Sequence, residues 1–303
     1  MEIFYRMLST QSLMFLYMCA GILLVKGKVI RPEGRSSLIG LLLNLTLPCM
    51  ILHSFESDGG VEKLLEGGEA LLLSFLCCLF SLFLGKVIWR NKEEARRATL
   101  VFATMFSNAG NAGLPIVSLA FGTEGVFIAS FFLIPIRVFM WTLGLSLFVK
   151  KKEGESRVRE LLKNPSLVVV FVGIFLLLTG LRLPGVLGTA VKNIGDMTGP
   201  LSMIMIGGSL VGMLLSDWKD VDVLQMSVVR LGILPVLGLM VMRLAHVPMN
   251  CIQVAVTLLA MPVAANTSLL SEMYGRDYTF ATKCVVVSTV LSLATVPCVT
   301  LLF

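Results

Sequence analysis

The sequence predicts an all-α polytopic membrane protein, ten transmembrane helices arranged as a 5+5 inverted repeat. Three observations predict it. Apolar residues make up 56% of the 303 and charged residues only 15%, with a mean hydropathy of +0.89; an ordinary soluble domain has roughly 45–50% and about 25%. The apolar residues are gathered into runs of the ~20 residues that cross a ~30 Å hydrocarbon core. The two halves of the chain also repeat the same proline, glycine and asparagine devices. A soluble enzyme, a secreted disulfide scaffold and a disordered chain do not fit these numbers.

The runs lie near 9–26, 36–55, 69–89, 98–121, 125–149, 165–182, 187–214, 222–242, 250–272 and 278–302. The first is a membrane helix and not a secretory signal, because Glu2 and Arg6 precede it while Lys26 and Lys28 follow, and no small-residue cleavage site comes after. The second carries Asn44 four residues before Pro48, and the seventh carries Asp196 four before Pro200. The fourth holds Pro115 and the ninth Pro262, each followed by a glycine with an acidic neighbour, Gly122 with Glu124 and Gly275 with Asp277. Five spans per half require the second half to be inserted upside down. The charged stretch between the fifth and sixth runs is the midpoint, so 1–150 is the first repeat, 151–164 a cytoplasmic linker and 165–303 the second repeat.

Charge sets the orientation. Seventeen lysines and arginines fall in one set of alternate loops, among them Lys26, Lys28, Lys86, Arg90, Lys92, Arg96, Arg97, Lys219 and Arg276; the other set has Arg6, Lys63, Arg182, Lys192 and Arg243. The positive-inside bias places the first set in the cytoplasm and both termini outside the cytoplasmic membrane. It also accounts for the net charge of +6 without nucleic acid. The seven cysteines lie in or at the ends of apolar runs and read as buried free thiols, and two histidines cannot build a metal site. No cofactor is implied.

The segment from Phe106 to Pro115, FSNAGNAGLP, places two asparagines, two glycines and a proline inside an apolar span. Proline removes a backbone donor and clashes with the preceding turn, while glycine and asparagine accept the angles that result. The ninth span repeats the device from Ala260 to Ser268. Two helices broken in this way would meet near the midplane and aim their half-helix N-termini into one cavity suited to an anion. Asn108, Asn111, Asn266 and Ser268 are the candidate hydrogen-bonding residues there; a proline kink used only for packing is the alternative.

Three charges well inside the runs bear on the site. Arg137, about twelve residues from either end of the fifth, is too deep to snorkel and reads as a counter-charge for an anionic substrate or as a structural donor to Asp196 or to carbonyls. Asp196 reads as a desolvated carboxyl, a candidate for proton coupling, or as an interhelical contact or part of a water-filled vestibule. Arg230 lies nearer the cytoplasmic end of its span and is expected to snorkel. Gly207, Gly208 and Gly212 suit close helix packing or dimerisation.

Taken in order, these segments resemble bacterial members of the auxin efflux carrier family of transporters. The resemblance covers essentially all ten spans. It is carried by Ser107 to Pro115 with Phe121-Gly122, by Trp141-Thr142-Leu-Gly144, Asn164-Pro165, Pro200 to Gly208, and Met261-Pro262-Val-Ala-Ala-Asn266, and by the closing Glu272-Met-Tyr274-Gly275. It implies crossing of the fourth and ninth helices as in sodium/proton antiporters and bile-acid transporters. It also implies a scaffold of helices 1, 2, 6 and 7, an elevator-like mobile part, and a homodimer. Family substrates are small organic anions, malate or malonate in bacteria and indole-3-acetate in plants. Pro115, Pro262, Asn111 and Asn266 match the family's crossover positions. The function implied is secondary active transport of an organic anion, with a proton or sodium as possible coupling ion; an anion receptor built on a transporter fold is the alternative. An enzyme is not indicated.

Overall fold

The computed structural model describes residues 2–55, 60–144, 146–148, 165–209, 211 and 220–303. The 151–164 linker and Gly212 lie outside them. The described chain is helical apart from short connections and one isolated antiparallel bridge between Ser107 and Val263. In order, the helices are α1 (Glu2–Lys26), α2 (Pro32–Leu41), α3 (Leu47–Ser54), α4 (Gly60–Ile88), α5 (Glu94–Met105), α6 (Leu114–Phe139), α7 (Pro165–Thr179), α8 (Gly185–Asp196), α9 (Thr198–Ser209), α10 (Val221–Val228), α11 (Leu234–Leu244), α12 (Met249–Leu259), α13 (Asn266–Met273) and α14 (Tyr278–Thr300).

Six stretches among the described residues are long and apolar enough to cross a membrane: Leu8–Lys26, Ser37–Ser54, Leu64–Ile88, Ala109–Gly144, Val221–Leu244 and Tyr278–Thr300. Val168–Thr179 and Met249–Leu259 are shorter apolar helices. The molecule is a polytopic membrane protein. The 36-residue stretch Ala109–Gly144 would be about 54 Å long as one straight helix, far beyond the hydrocarbon core. It is interrupted at Gly122, whose φ of 67° and ψ of −157° are not helical. That glycine separates the parts that the sequence assigns to the fourth and fifth spans.

Prolines explain a second recurring feature. The π-helical turns Leu42–Thr46, Ala109–Gly113 and Val229–Ile233 each end two residues before a proline, Pro48, Pro115 and Pro235. Proline donates no hydrogen bond and its ring crowds the carbonyl four residues back, so the turn widens. The residue before each proline then donates five residues back: Leu47 to Leu42, Leu114 to Ala109 and Leu234 to Val229. The three widened turns carry Asn44, Asn111 and Arg230.

Lipid tails are as apolar as leucine, so helices in a bilayer are held by close packing and hydrogen bonds more than by burial from water. Glycines supply the close packing. A Cβ on Gly207 would lie 2.0 Å from the Met18 carbonyl oxygen, and one on Gly21 2.0 Å from that of Ile204, so α1 and α9 touch backbone to backbone. The glycines of α9 thus serve packing within the chain. Gly195 of α8 meets the Met50 backbone of α3 in the same manner. Phe55 stacks edge-on against Phe127 at 5.0 Å, and buried Trp89 donates to the Thr104 hydroxyl at 2.9 Å, joining α4 to α5. Of the cysteines, all free, Cys78, Cys251 and Cys284 are buried, whereas Cys298 is exposed, unlike the uniform burial the sequence suggests.

Candidate functional site

Helix α5 stops at Met105 and α12 at Leu259; each is followed by extended chain before helix resumes. The two extended stretches cross antiparallel. The Asn108 amide donates to the Pro262 carbonyl at 2.7 Å and the Ala264 amide to the Phe106 carbonyl at 3.0 Å. The Val263 amide donates to Ser288 Oγ at 3.1 Å, and Ser107 Oγ donates to the Leu258 carbonyl at 3.0 Å. Backbone groups cannot be left unpaired at membrane depth, and this ladder satisfies several of them.

The carbonyls that end α5 and α12 are satisfied by Arg230, a residue the sequence reading sends toward the surface. Its side chain is 1% exposed. Nη1 donates to the Thr104 carbonyl at 2.8 Å, Nη2 to Leu259 at 2.9 Å and Nε to Met261 at 3.2 Å. The C-terminal ends of helices carry partial negative charge, and a guanidinium placed between two of them is held by hydrogen bonds and by both dipoles. Arg230 therefore does not snorkel. The carbonyls of two broken helices offer it better partners than the water at the end of its own span.

The opposite side of the crossover is open. A cavity of about 360 Å³ is lined by Asn108, Gly110 and Asn111 from the first break, by Ala264, Ala265 and Asn266 from the second, and by Ile136, Arg137 and Met140 of the following helix. Leu43, Asn44 and Leu47, with Pro165, close its far wall. This volume lies within the range of small-molecule sites, roughly 300–1,000 Å³. The chain resumes helix at Ala109 and at Asn266; the Thr267 and Ser268 amides already donate to the Ala264 and Ala265 carbonyls at 2.9 and 3.2 Å, so the partial positive charge of a helix start is left at the first break, Ala109 to Asn111. Arg137 lies beside this first break, with Nη2 at 3.9 Å from where a Cβ of Gly110 would be. Its Nη1 is buried with no hydrogen-bond partner, and among the described lining residues there is no carboxylate. One pole of the crossover is thus neutralised by Arg230, while the other presents the helix start at the first break and an Arg137 Nη1 with no hydrogen-bond partner.

Four of the sequence-derived residues come together here: Asn108, Asn111, Asn266 and Arg137. Asn266 Nδ2 donates to Met140 Sδ at 3.1 Å, and both residues line the cavity. Pro115, Pro262 and Ser268 do not line it. Pro115 is buried in the first turn of α6, Pro262 gives its carbonyl to Asn108, and Ser268 turns back to the Ala265 carbonyl at 2.9 Å. Asp196 does not line the cavity: its side chain is 62% exposed and ion-paired with Lys192 one turn earlier at 2.9 Å, and not with Arg137. Asn44 and Arg230 are the additions. Asn44 shows in the sequence only as a repeat marker four residues before Pro48.

The family described as "Membrane transport protein" matches residues 10–300. The chain belongs to this family, that of the auxin efflux carriers. An uncharacterized transporter of Methanothermobacter thermautotrophicus is 27% identical over 297 residues, covering 94% of each chain. Another, of Methanocaldococcus jannaschii, is 24% identical over 276 residues, covering 88% of each. In this membrane transporter, then, the crossover cavity belongs to a chain whose similarity to its relatives runs nearly end to end.

Proposed function

We propose that the chain is a secondary active transporter that moves a small organic anion, a carboxylate, across the cytoplasmic membrane by elevator-type alternating access within a ten-span inverted repeat. The observation that carries the anion reading is Arg137: its Nη1 is buried without a hydrogen-bond partner, beside the helix start at Gly110, in a cavity with no carboxylate among its described lining residues. An isolated buried charge is costly, and an incoming carboxylate removes that cost while accepting hydrogen bonds from Asn108 and Asn111. The repeat is supported by the antiparallel crossing and by the positive φ of Gly122 (67°) and Gly275 (62°) at matching places after each break. Alternating access is supported by the cavity's lining, which joins the crossover to Leu43 and Asn44 of a π turn and Leu47 of α3.

The test is transport into liposomes with a panel of mono- and dicarboxylates, at varied pH and sodium. One or a few carboxylates should show saturable counterflow. Alanine at Asn111 and at Asn266 should each reduce it by at least about tenfold, with folded protein retained. Wild-type counterflow in both variants would sink the site, and saturable binding without counterflow would replace the transporter reading with a receptor.

A further inference from the structure

A second pocket, of about 430 Å³, lies away from the crossover, where α4 meets α5. Its polar lining is Lys86, Arg90, Glu94, Arg97 and Ser146. Nearby basic residues are already engaged: Lys92 pairs with Asp222 at 2.5 Å, and Arg96 with Asp222 at 3.2 Å and Asp220 at 3.5 Å. Among the described residues, Lys86, Arg90 and Arg97 have no ion-pair partner, so the pocket carries three free cations against one carboxylate. The walls are held apart at a fixed spacing, since Trp89 is pinned to Thr104 and Gly85 packs on Thr104 and Val101.

What approaches this pocket is set by α4. Leu72, Leu76, Leu79 and Phe83 are exposed, Phe83 by 65%, and they follow one another at three- and four-residue spacing. That spacing keeps them on one face of the helix, and the same face continues into Lys86, with Arg90 in the turn that follows the helix. The face is membrane-spanning, within Leu64–Ile88. A continuous apolar stripe that ends in a cationic pocket matches a molecule with acyl chains below and a negative headgroup above. We infer that this pocket is a binding site for the phosphate headgroup of an anionic phospholipid, whose chains lie along the exposed stripe of α4. Arg90 and Arg97 supply guanidinium pairs to the phosphate oxygens, Lys86 adds a point charge, and Glu94 disfavours a second phosphate.

The experiment is lipid titration of the delipidated protein in detergent, followed by native mass spectrometry, with phosphatidylglycerol and phosphatidylcholine as probes. Wild type should retain phosphatidylglycerol at least tenfold better than phosphatidylcholine. The triple variant Lys86→Gln, Arg90→Gln, Arg97→Gln should lose that preference. A control triple, Lys26→Gln, Lys28→Gln, Arg31→Gln, should keep it, which separates a site from general positive charge. Thermal unfolding of each variant verifies that it is folded, and Glu94→Gln, a single change on the surface, should raise retention a few-fold. Equal retention by wild type and the pocket triple overturns the site. Displacement of the lipid by millimolar inorganic phosphate overturns the lipid as its occupant in favour of a soluble phosphate.

Discussion

Two arginines within the apolar helices differ in what they touch, and their substitutions test whether their roles differ too. Arg230 satisfies three backbone carbonyls at once. Replacing it by methionine leaves those acceptors unpaired, and each hydrogen bond to a charged group is worth about 1.5–3 kcal/mol. Arg230→Met should destabilise the purified protein by about 3 kcal/mol or more, read as a lower Tm, with Arg230→Lys recovering part. Arg137 has no partner to lose on Nη1, so Arg137→Gln should keep or raise the Tm while raising the transport KM at least tenfold, about 1.4 kcal/mol. Arg137→Lys should fall between. A Tm drop in Arg137→Gln equal to that of Arg230→Met would make Arg137 structural. Both residues stand out in the sequence as charges within apolar runs. What depth along a span could not give was the partner: for Arg230 it is three carbonyls freed by breaks elsewhere in the chain, and for Asp196 a lysine one turn away on an exposed face.

At the scale of elements, the breaks were legible because proline, glycine and asparagine change backbone conformation locally. The crossing of Phe106–Asn108 with Pro262–Ala264 follows from the need to pair their backbone groups. Less legible was which motif residues reach the cavity. Pro115 shapes the π turn that carries Asn111 and is itself spent in packing, and Pro262 acts through its carbonyl. Gly122 shows the local rule most cleanly. No atom lies within 4 Å of its Cβ position, so an added methyl meets no crowding, only a backbone conformation open almost exclusively to glycine. Gly122→Ala should therefore cost about 1–3 kcal/mol. Gly232→Ala, which also has open space but no positive φ, should be neutral or mildly stabilising. Thermal unfolding of the two variants side by side measures the difference, and equal Tm values would mean that the turn at Gly122 accepts an ordinary residue.

At the scale of the whole molecule, loop charge and tertiary contacts sort the connections in the same way. Lys92 and Arg96 meet Asp220 and Asp222, and Arg276 donates to the Phe148 carbonyl at 3.3 Å; all belong to connections that the charge count puts on one side. Arg243 donates to the Leu302 carbonyl at 2.6 Å, and Asn250 bonds Glu66; these belong to the other side. Contacts group the ends of the bundle without saying which faces the cytoplasm. The excess of lysine and arginine supplies the expectation that the first group faces the cytoplasm, because moving those charges across the membrane during insertion is disfavoured. A cysteine replacing Arg90 should then react with a membrane-impermeant maleimide only after the cells are opened, and one replacing Lys63 should react on intact cells. Alkaline phosphatase fused after Phe303 should be active and a fluorescent protein fused there dark. The reverse pattern in both assays would invert the orientation, and would place the pocket of Lys86, Arg90 and Arg97 in the outer leaflet without altering the chemistry that would hold a phosphate there.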